Sequence, residues 1–495
     1  MILSVQNDRT TILEADPWLL DMLDKELRYP TTVVAMRDPD IVVPPTSNPW
    51  DGWVRLLNRT KYAPPTVPTG LLPRVERLGR KFGYQVWVQD ERERPESGFP
   101  ELIDLGLRDY QDAAAREAER RGRGVLDMPP RSGKTRTAIE VQRRLALPTV
   151  WIAPTDRIVT QTKEAIEAFY SPHYVTHIIG SSTWEDAAGY PIVVCTAATA
   201  AMLPVEFYKT REVILVDEWH HAAAKMYHAI FEKCPHIYFR YGMTGTFYRS
   251  GADILSLHAL LSTTLYKISS TELLERGYLV PCHVVFLPVP APRLRGLPST
   301  AFQKGHGKFG VQEHTPRNHL IADCILQLYA AGRRVLVLVG TKKQGRLIND
   351  LVKPFIPGTD KTEFDPVEFV STDRPREVQG RILEAFEAGQ EVKVLLGTSL
   401  LGEGVDLPSA DALVYARGEK AEVTLMQNLY RVCTAVPGKR YAVVVDFADR
   451  HHKKLIEHSQ LRLATYYREP TFTTTVLDDA KKFEKWFNIL SRSAT

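Results

Sequence analysis

Short apolar runs alternate with helix-length segments in two long stretches of this chain, and this alternation constrains the fold more than any other feature. The first stretch extends from about residue 105 to 281 and contains the runs TVWIAP, PIVVCT, EVILVDE and HIYFRYGMTGT. The second extends from about residue 317 to 446 and contains RRVLVLVG, VEFVS, EVKVLLGT, DALVYA and YAVVVDF. Strands that alternate with helices are typical of parallel sheets with crossover helices. The pattern therefore predicts two consecutive α/β domains.

The segments outside these stretches predict the rest of the domain plan. Residues 1–100 are rich in Trp, Pro and Arg and contain short strand-like runs, which predicts a small α/β N-terminal domain. Residues 286–316 are rich in Pro and Gly and predict a linker, so that the two α/β domains occupy 101–285 and 317–450. Residues 451–495 are charged and predict a helical C-terminal extension. A chain of 495 residues is long enough for about three domains.

Composition narrows the class of protein. A net charge of +4 means that any nucleic-acid surface must be a local basic patch. The five cysteines have no C-x-x-C spacing, and the paired histidines lack a second metal-spaced pair, so we expect reduced, buried thiols and no zinc. No apolar run approaches the roughly 20 residues that a membrane span needs. We therefore expect no membrane partner and a cytoplasmic location.

The segment GVLDMPPRSGKTRTAIEVQRRLAL has the strand–loop–helix order of a phosphate-binding loop. Lys134 would contact the β- and γ-phosphates of ATP, and the Thr135 hydroxyl would bind Mg²⁺. The backbone N–H groups that would cradle the phosphates belong to Arg131, Ser132 and Gly133. Met128 stands where the motif has its first glycine. The alternative is a surface loop in which SGKT occurs by chance.

An acidic pair follows a later apolar run, in EVILVDEWHH. A carboxylate pair at the end of a buried strand is where a Mg²⁺ ligand and a general base should face the phosphate loop. Asp217 is assigned to the metal, and Glu218 to activating the attacking water. The alternative is a helix N-terminus, where Asp and Glu also fit.

With these two motifs in place, residues 105–450 resemble a superfamily 2 helicase of the DExH type. The further motifs are LRDYQ, IAPTDRIVTQ, VVCTAAT, DEWH, MTGT, GTSLLGEGVDLP and QNLYRVCT, in the family's order. The resemblance implies two RecA-like domains that hold ATP between them and contact DNA phosphates along the opposite edge.

The resemblance also implies a role for each motif residue. The residues implied at the nucleotide or in hydrolysis are Gln111, His220, Gly404, Asp406, Gln427 and Arg431. Thr244 and Thr246 would couple the two sites. The residues implied at DNA phosphates are Pro154, Thr155, Thr196, Thr341 and Thr398. Because phosphate contacts serve DNA and RNA alike, the motifs leave that choice open.

The N-terminal segment resembles the leading domain of phage branch-migration helicases of the UvsW type, through NPWDGWVRLLNRTKY and TGLLPRVERLGRKFGYQVWV. These helicases remodel branched DNA in recombination, repair and replication restart. The residues Leu72, Val75, Leu78 and Phe82 form an apolar helix stripe. A second face contains Arg74, Arg77 and Lys81, which are candidate DNA contacts beside Trp50, Trp53 and Trp87. The alternatives are a solvated basic face and tryptophans that belong to the core.

One position departs from the family pattern. Motif VI normally has two arginines, but the second position is Thr434, and we predict that its side chain lies one helical turn beyond Arg431. Either Arg431 suffices, or a nearby base such as Lys439 or Arg440 substitutes, or hydrolysis is vestigial. The sequence thus favours an ATP-dependent DNA helicase or translocase on duplex or branched DNA. The alternatives are an ATP-gated DNA-binding protein and the motor subunit of a restriction or defence complex.

Overall fold

A computed structural model gives the fold of the chain and divides it into two units. The structure describes residues 1–30, 53–98, 103–179, 183–219, 224–245, 252–289, 305, 307–358, 363–389, 391–398, 401, 407–420 and 422–493. The first unit comprises Met1–Pro129 and Gly133–Ile268, and the second comprises Pro130–Ser132 and Ser269–Thr495.

The first unit begins with a small α/β module. Its strands and helices are β1 (Ile2–Val5), β2 (Arg9–Glu14), α1 (Pro17–Glu26), β3 (Arg28–Pro30), β4 (Trp53–Arg55), β5 (Thr66–Pro68), α2 (Leu72–Lys81) and β6 (Trp87–Asp90). One sheet has the order β5-β2-β1-β6, and β3 pairs with β4. The predicted apolar stripe of α2 lies in the module core, with Val75 and Leu78 buried and Leu72 and Phe82 packed against them.

A seven-stranded parallel sheet forms the rest of the first unit. Its elements are α3 (Asp109–Arg121), β7 (Arg123–Asp127), α4 (Lys134–Leu145), β8 (Thr149–Ala153), α5 (Asp156–Glu167), β9 (Val175–Ile178), α6 (Trp184–Ala188), β10 (Ile192–Thr196), α7 (Ala197–Met202), α8 (Val205–Tyr208), β11 (Val213–Val216), α9 (Ala224–Glu232), β12 (Phe239–Thr244), α10 (Ala252–Leu261) and β13 (Thr264–Lys267). The strand order is β13-β7-β12-β11-β8-β10-β9. The strands are apolar on both faces because helices cover both faces of a parallel sheet.

The second unit contains another seven-stranded parallel sheet, in the order β16-β17-β15-β18-β19-β14-β20. Its elements are α11 (Ser270–Glu275), β14 (Cys282–Pro288), α12 (Thr315–Ala330), β15 (Val335–Leu338), α13 (Lys342–Val352), β16 (Val367–Val370), α14 (Arg376–Ala388), β17 (Val394–Gly397), β18 (Ala412–Tyr415), α15 (Glu422–Leu429), β19 (Ala442–Ala448), α16 (Lys453–Arg468), β20 (Phe472–Val476) and α17 (Phe483–Ser493). Two parallel sheets after a small α/β module confirm the predicted fold class.

Two predicted boundaries need correction. Strand β14 pairs with β19 and β20, so residues 282–285 belong to the second sheet and not to the first α/β domain. The C-terminal extension is not wholly helical, because β20 adds an edge strand to the same sheet. Both errors have one physical cause: an apolar or Thr-rich run predicts a strand, but it does not reveal with which strand it will pair. All five cysteines are buried free thiols, as the sequence predicts.

The N-terminal module packs directly on the first α/β domain. Leu255 and Ala259 of α10 belong to the hydrophobic core of the module. Gly70 lies so close to α10 that a Cβ atom there would be 2.2 Å from the carbonyl oxygen of His258. At a second contact, Arg123 at the start of β7 donates a hydrogen bond to the Asn7 carbonyl at 2.6 Å. Sequence motifs gave no signal for these contacts, which join the module to the sheet.

Candidate functional site

The loop between β7 and α4 contains two residues with left-handed backbone angles. Arg131 and Gly133 have φ angles of 70° and 78°, and Gly133 is the N-cap of α4. A Cβ atom at Gly133 would lie 2.2 Å from Nε2 of Gln111, so glycine is required by both the backbone angle and the close side chain. Lys134 and Thr135 therefore open α4 with their side chains at the carboxyl edge of the sheet.

Gln111 is held against this loop by its own helix. It lies in the first turn of α3, is 3% exposed, and accepts a hydrogen bond from the Arg108 N–H at 2.9 Å. This capping arrangement fixes the amide next to Gly133. The structure thus brings Gln111 close to the phosphate loop.

The acidic pair lies at the end of β11 and faces the phosphate loop. Nζ of Lys134 is 3.3 Å from Oε1 of Glu218, and Glu218 has a φ angle of 45°. Oδ1 of Asp217 accepts the Glu218 N–H at 2.8 Å. Burial, and next the negative charge of Glu218, raise the pKa of Asp217 to about 6, while Lys134 opposes the shift. The site therefore concentrates negative charge that a divalent cation would neutralise.

The missing first glycine of the phosphate loop has a local explanation. Met128 is fully buried, and its N–H donates to the Thr244 carbonyl of β12 at 2.9 Å. The residue continues the β7–β12 ladder, so its side chain points into the core and leaves the loop clear. Thr244 is itself buried, whereas His220 and Thr246 lie outside the described residues.

The residues implied at DNA in the first unit follow two neighbouring strands. Pro154 and Thr155 follow β8, and Thr196 ends β10, which pairs with β8. The Thr155 hydroxyl accepts the Ile158 N–H at 3.4 Å, and the Thr196 hydroxyl accepts the Thr199 N–H at 3.2 Å. These hydroxyls cap α5 and α7, which places two helix N-termini on one edge of the sheet, where phosphates bind well.

The second unit places its candidate residues at the carboxyl edge of its own sheet. Thr341 caps α13 by accepting the Gln344 N–H at 3.2 Å, and Thr398 directly follows β17. Gln427 lies partly buried on α15. Gly404 and Asp406 lie outside the described residues.

Arg431 lies in a 3₁₀ turn and is already engaged. It is 6% exposed in the segment Tyr430–Cys433, and its Nη1 donates to the Leu401 carbonyl at 2.6 Å. This contact ties motif VI to the segment that follows β17.

The chain leaves the helical conformation at Thr434. Helix α15 ends at Leu429, and Thr434 has extended backbone angles and pairs with Leu279 in an antiparallel bridge. Arg431 thus lies within the 3₁₀ turn and Thr434 is its C-cap, so the extended conformation begins at Thr434. The reason is non-local: the Val280 N–H donates to the Cys433 carbonyl at 2.8 Å and draws this segment into an extended conformation.

Lys439 is engaged by backbone carbonyls in the second unit. Its Nζ donates to the carbonyls of Ala410 at 2.6 Å and of Pro408 at 3.1 Å. Burial is the main cause that lowers its pKa to about 8. The side chain thus holds the turn after motif VI against the segment before β18.

The basic face of α2 in the module is only partly exposed. Arg77 and Lys81 face solvent, but Arg74 donates to the Glu26 carbonyl at 3.2 Å and pairs with its carboxylate at 3.6 Å. Trp87 is 64% exposed and Trp53 37% exposed, so neither ring belongs to the core. Trp50 lies outside the described residues.

The donor set at the phosphate loop fits Mg²⁺ better than a tightly caged metal. Among the described residues, no three His, Cys, Asp or Glu side chains are grouped to hold a metal ion. Mg²⁺ normally keeps several waters and binds through one or two carboxylates together with substrate phosphates. The buried Asp217 carboxylate and the Thr135 hydroxyl match that chemistry.

Within the same described ranges, no helix is both long and apolar enough to cross a membrane.

Two family models match parts of the two α/β regions. Residues 104–249 match the model of the type III restriction enzyme res subunit, and residues 318–434 match the helicase conserved C-terminal domain. The ATP-dependent DNA helicase uvsW of Enterobacteria phage T4 is 22% identical over 424 residues, which cover 81% of this chain and 82% of that protein.

Two further proteins extend the comparison. The DNA 3'-5' translocase XPB2 of Sulfurisphaera tokodaii is 24% identical over 373 residues, covering 68% of this chain and 80% of that protein. Among solved structures, the type ISP restriction-modification enzyme LlaBIII bound to DNA has a TM-score of 0.55 and 14% identity. It covers 85% of this chain and 37% of the LlaBIII chain. At that identity the structural likeness shows the fold alone.

Proposed function

Because this chain belongs to superfamily 2 of the helicases and is related to uvsW, we propose that it is an ATP-dependent translocase that remodels duplex or branched DNA. The single observation that supports hydrolysis is the ion pair of Lys134 with Glu218 beside the buried Asp217. These three side chains come from two distant segments and meet at one sheet edge. We expect this remodelling to act in recombination, repair or replication restart.

Each residue of the site has a distinct part in the proposed reaction. Incoming phosphates compete with Glu218 for the Lys134 ammonium. When Lys134 moves from Glu218 to the phosphates, the Glu218 carboxylate can accept a proton from the attacking water. Gln111 supplies an amide next to the loop for the adenine edge. Arg431, whose Nη1 donates to the Leu401 carbonyl, would form a charge-assisted bond to the γ-phosphate.

Asp217 and Thr135 would hold Mg²⁺, which supplies charge neutralisation on the phosphate oxygens. Because burial raises the pKa of Asp217 to about 6, metal binding must displace a proton at lower pH. ATP turnover should therefore decline below about pH 6 through weakened metal binding.

DNA would be bound mainly through phosphates. The capping hydroxyls of Thr155, Thr196 and Thr341 stand at helix N-termini, where backbone N–H groups attract anions without reading sequence. Arg77 and Lys81 of the module would add a basic contact to duplex or branched DNA. These assignments predict little sequence preference and a strong dependence of affinity on salt.

The experiment that tests this function is ATP turnover measured with no nucleic acid, single-stranded DNA, duplex DNA, a four-way junction and RNA. We expect stimulation by DNA, loss of hydrolysis in Lys134→Ala, and trapping of ATP-bound protein on DNA in Glu218→Gln. Lys267→Ala is the matched control, because Lys267 also pairs with a carboxylate, Asp127, at 3.2 Å but is 69% exposed. Turnover by Lys134→Ala at the wild-type rate would refute the assignment.

A second candidate function is ATP-gated DNA binding without productive hydrolysis. It is favoured by Thr434, which stands in an extended bridge in place of a second motif VI arginine. In that case ATP would alter DNA affinity in both the wild type and Glu218→Gln, while no DNA substrate would stimulate turnover.

A further inference from the structure

A short segment of the second unit fills the crevice at the carboxyl edge of its sheet. The strand order reverses between β15 and β18, which is where open α/β sheets usually bind ligands. Here the π-helix Lys308–Gln312 occupies that place. Val311 packs under Gly418, where an added Cβ atom would be 2.9 Å from the Val311 Cγ1, and Gln312 lies against Gly340.

The backbone of this segment is anchored from three elements. The imidazole Nε2 of His451 is 2.7 Å from the Gly310 carbonyl. The Asn318 amide donates to the Gln312 carbonyl at 3.0 Å, and the Gln344 amide donates to the Val311 carbonyl at 3.4 Å. A π-helix is rare and frequently marks a functional site. The anchoring therefore fixes the backbone of the segment.

One aromatic side chain on this fixed segment faces outward. Gly310, Val311 and Gln312 are buried, whereas the Phe309 ring is 42% exposed. The Lys308 ammonium lies 5.2 Å from the centroid of that ring. An exposed aromatic face beside a cation, on an anchored backbone, is suited to a planar ligand that carries negative charge.

The position of Phe309 relates it to the candidate DNA contacts of the same unit. Val311 and Gln312 touch the first turn of α13, which Thr341 caps, and Glu313 pairs with Lys343 of that turn at 2.9 Å. Lys343 remains 67% exposed. The edge thus offers an aromatic face with two lysines, which suits a nucleotide with a negative phosphate and a planar base.

We propose that Phe309 stacks on an unpaired DNA base while Lys308 contacts the adjoining phosphate. A base inside a duplex has no free face, so the contact selects single-stranded or junction DNA over continuous duplex. The inference rests on the proposed function, because it specifies which form of DNA binds at this sheet edge. It concerns binding only and requires no change in the ATP site.

The test measures the affinity of a labelled single-stranded oligonucleotide without ATP. Phe309→Ala should raise the dissociation constant roughly 5- to 150-fold, the range expected for loss of one base–aromatic stack, and Phe309→Trp should restore it. Duplex affinity should change less than about twofold. Phe355→Ala is the matched control, because Phe355 is 70% exposed on the same unit but lies outside this crevice.

An oligonucleotide of abasic residues separates stacking from charge. It should bind the wild type and Phe309→Ala equally, whereas Lys308→Ala should weaken it and reduce the salt slope by about 0.7. Equal binding of the normal oligonucleotide by wild type and Phe309→Ala would overturn the inference, because it would show that the Phe309 ring does not stack on a base. A wild type that binds DNA but never hydrolyses ATP would refute the proposed function and leave this result interpretable.

Discussion

Replacing Asp217 by asparagine is predicted to stabilise the ligand-free protein while it abolishes hydrolysis. Asp217 is 9% exposed, next to the carboxylate of Glu218. Burial and then that neighbouring charge raise its pKa to about 6, and Lys134 offsets only part of the effect. Asparagine keeps the Oδ1 atom that accepts the Glu218 N–H at 2.8 Å and removes the buried negative charge. The cation-binding role that we propose for this carboxylate would therefore carry a cost in stability.

The expected magnitude follows from the displacement of the pKa from 3.8 to about 6. Each unit corresponds to about 1.4 kcal/mol, so the ionised side chain lowers the free energy of unfolding by up to roughly 3 kcal/mol. The folded protein binds this proton more tightly than the unfolded chain does. Wild-type stability should therefore fall as the pH rises from about 4 to about 6, and the advantage of Asp217→Asn should be largest at neutral pH.

Urea unfolding at pH 4.5 and pH 7.5 measures this difference. Tryptophan emission is a suitable signal, since Trp151 and Trp219 are buried in the first unit. Asp90→Asn is a contrast of opposite sign, because two hydrogen bonds from Arg92 lower the pKa of Asp90 and neutralisation should destabilise the protein at neutral pH. If Asp217→Asn is no more stable than wild type at pH 7.5, attraction to Lys134 outweighs burial and the reasoning fails.

Two further substitutions test contacts that the structure alone shows. Thr434→Arg should lower the free energy of unfolding by about 2–4 kcal/mol and should not raise turnover, because the side chain replaces a partly buried threonine in the bridge to Leu279. Faster DNA-stimulated hydrolysis would instead indicate that an arginine at position 434 acts beside Arg431. Gly70→Ala should destabilise the protein by about 1–3 kcal/mol and expose the N-terminal module to limited proteolysis, because its Cβ would meet two backbone carbonyls of α10. Gly380→Ala is the control, since its Cβ meets nothing within 4 Å on α14 and the change should be neutral or stabilising by up to about 1 kcal/mol. Equal stability of the two glycine variants would contradict the close packing of the module.

The predictable part of the site is the part built from contiguous residues. Strand, loop and helix follow one another in VLDMPPRSGKT, so the position of Lys134 at a helix N-terminus is decided by local geometry. The same holds for Glu218, which is the second residue after the apolar strand β11. That Lys134 and Glu218 meet at 3.3 Å follows from the parallel sheet, because carboxyl ends of its strands share one edge.

The parts that sequence could not supply depend on contacts between distant residues. Thr434 is extended because residues near Leu279 bond to its neighbours, over 150 positions away. The sequence indicates only an ordinary turn residue at Gly70, because the nearby carbonyls of His258 and Ala259 belong to a distant segment. In each case the local preference was weak, and a tertiary contact decided the conformation.

The engagement of Arg431 argues for slow hydrolysis in preference to none. Its bond to the Leu401 carbonyl joins a cation to a neutral oxygen, whereas a phosphate oxygen carries charge and forms a bond roughly twice as strong. We propose that Arg431 forms this stronger bond when phosphate arrives. Thr434 has a neutral side chain, so it cannot supply a second cation. With one arginine where the family has two, the transition state would be less stabilised, and we expect lower turnover with the chemistry retained.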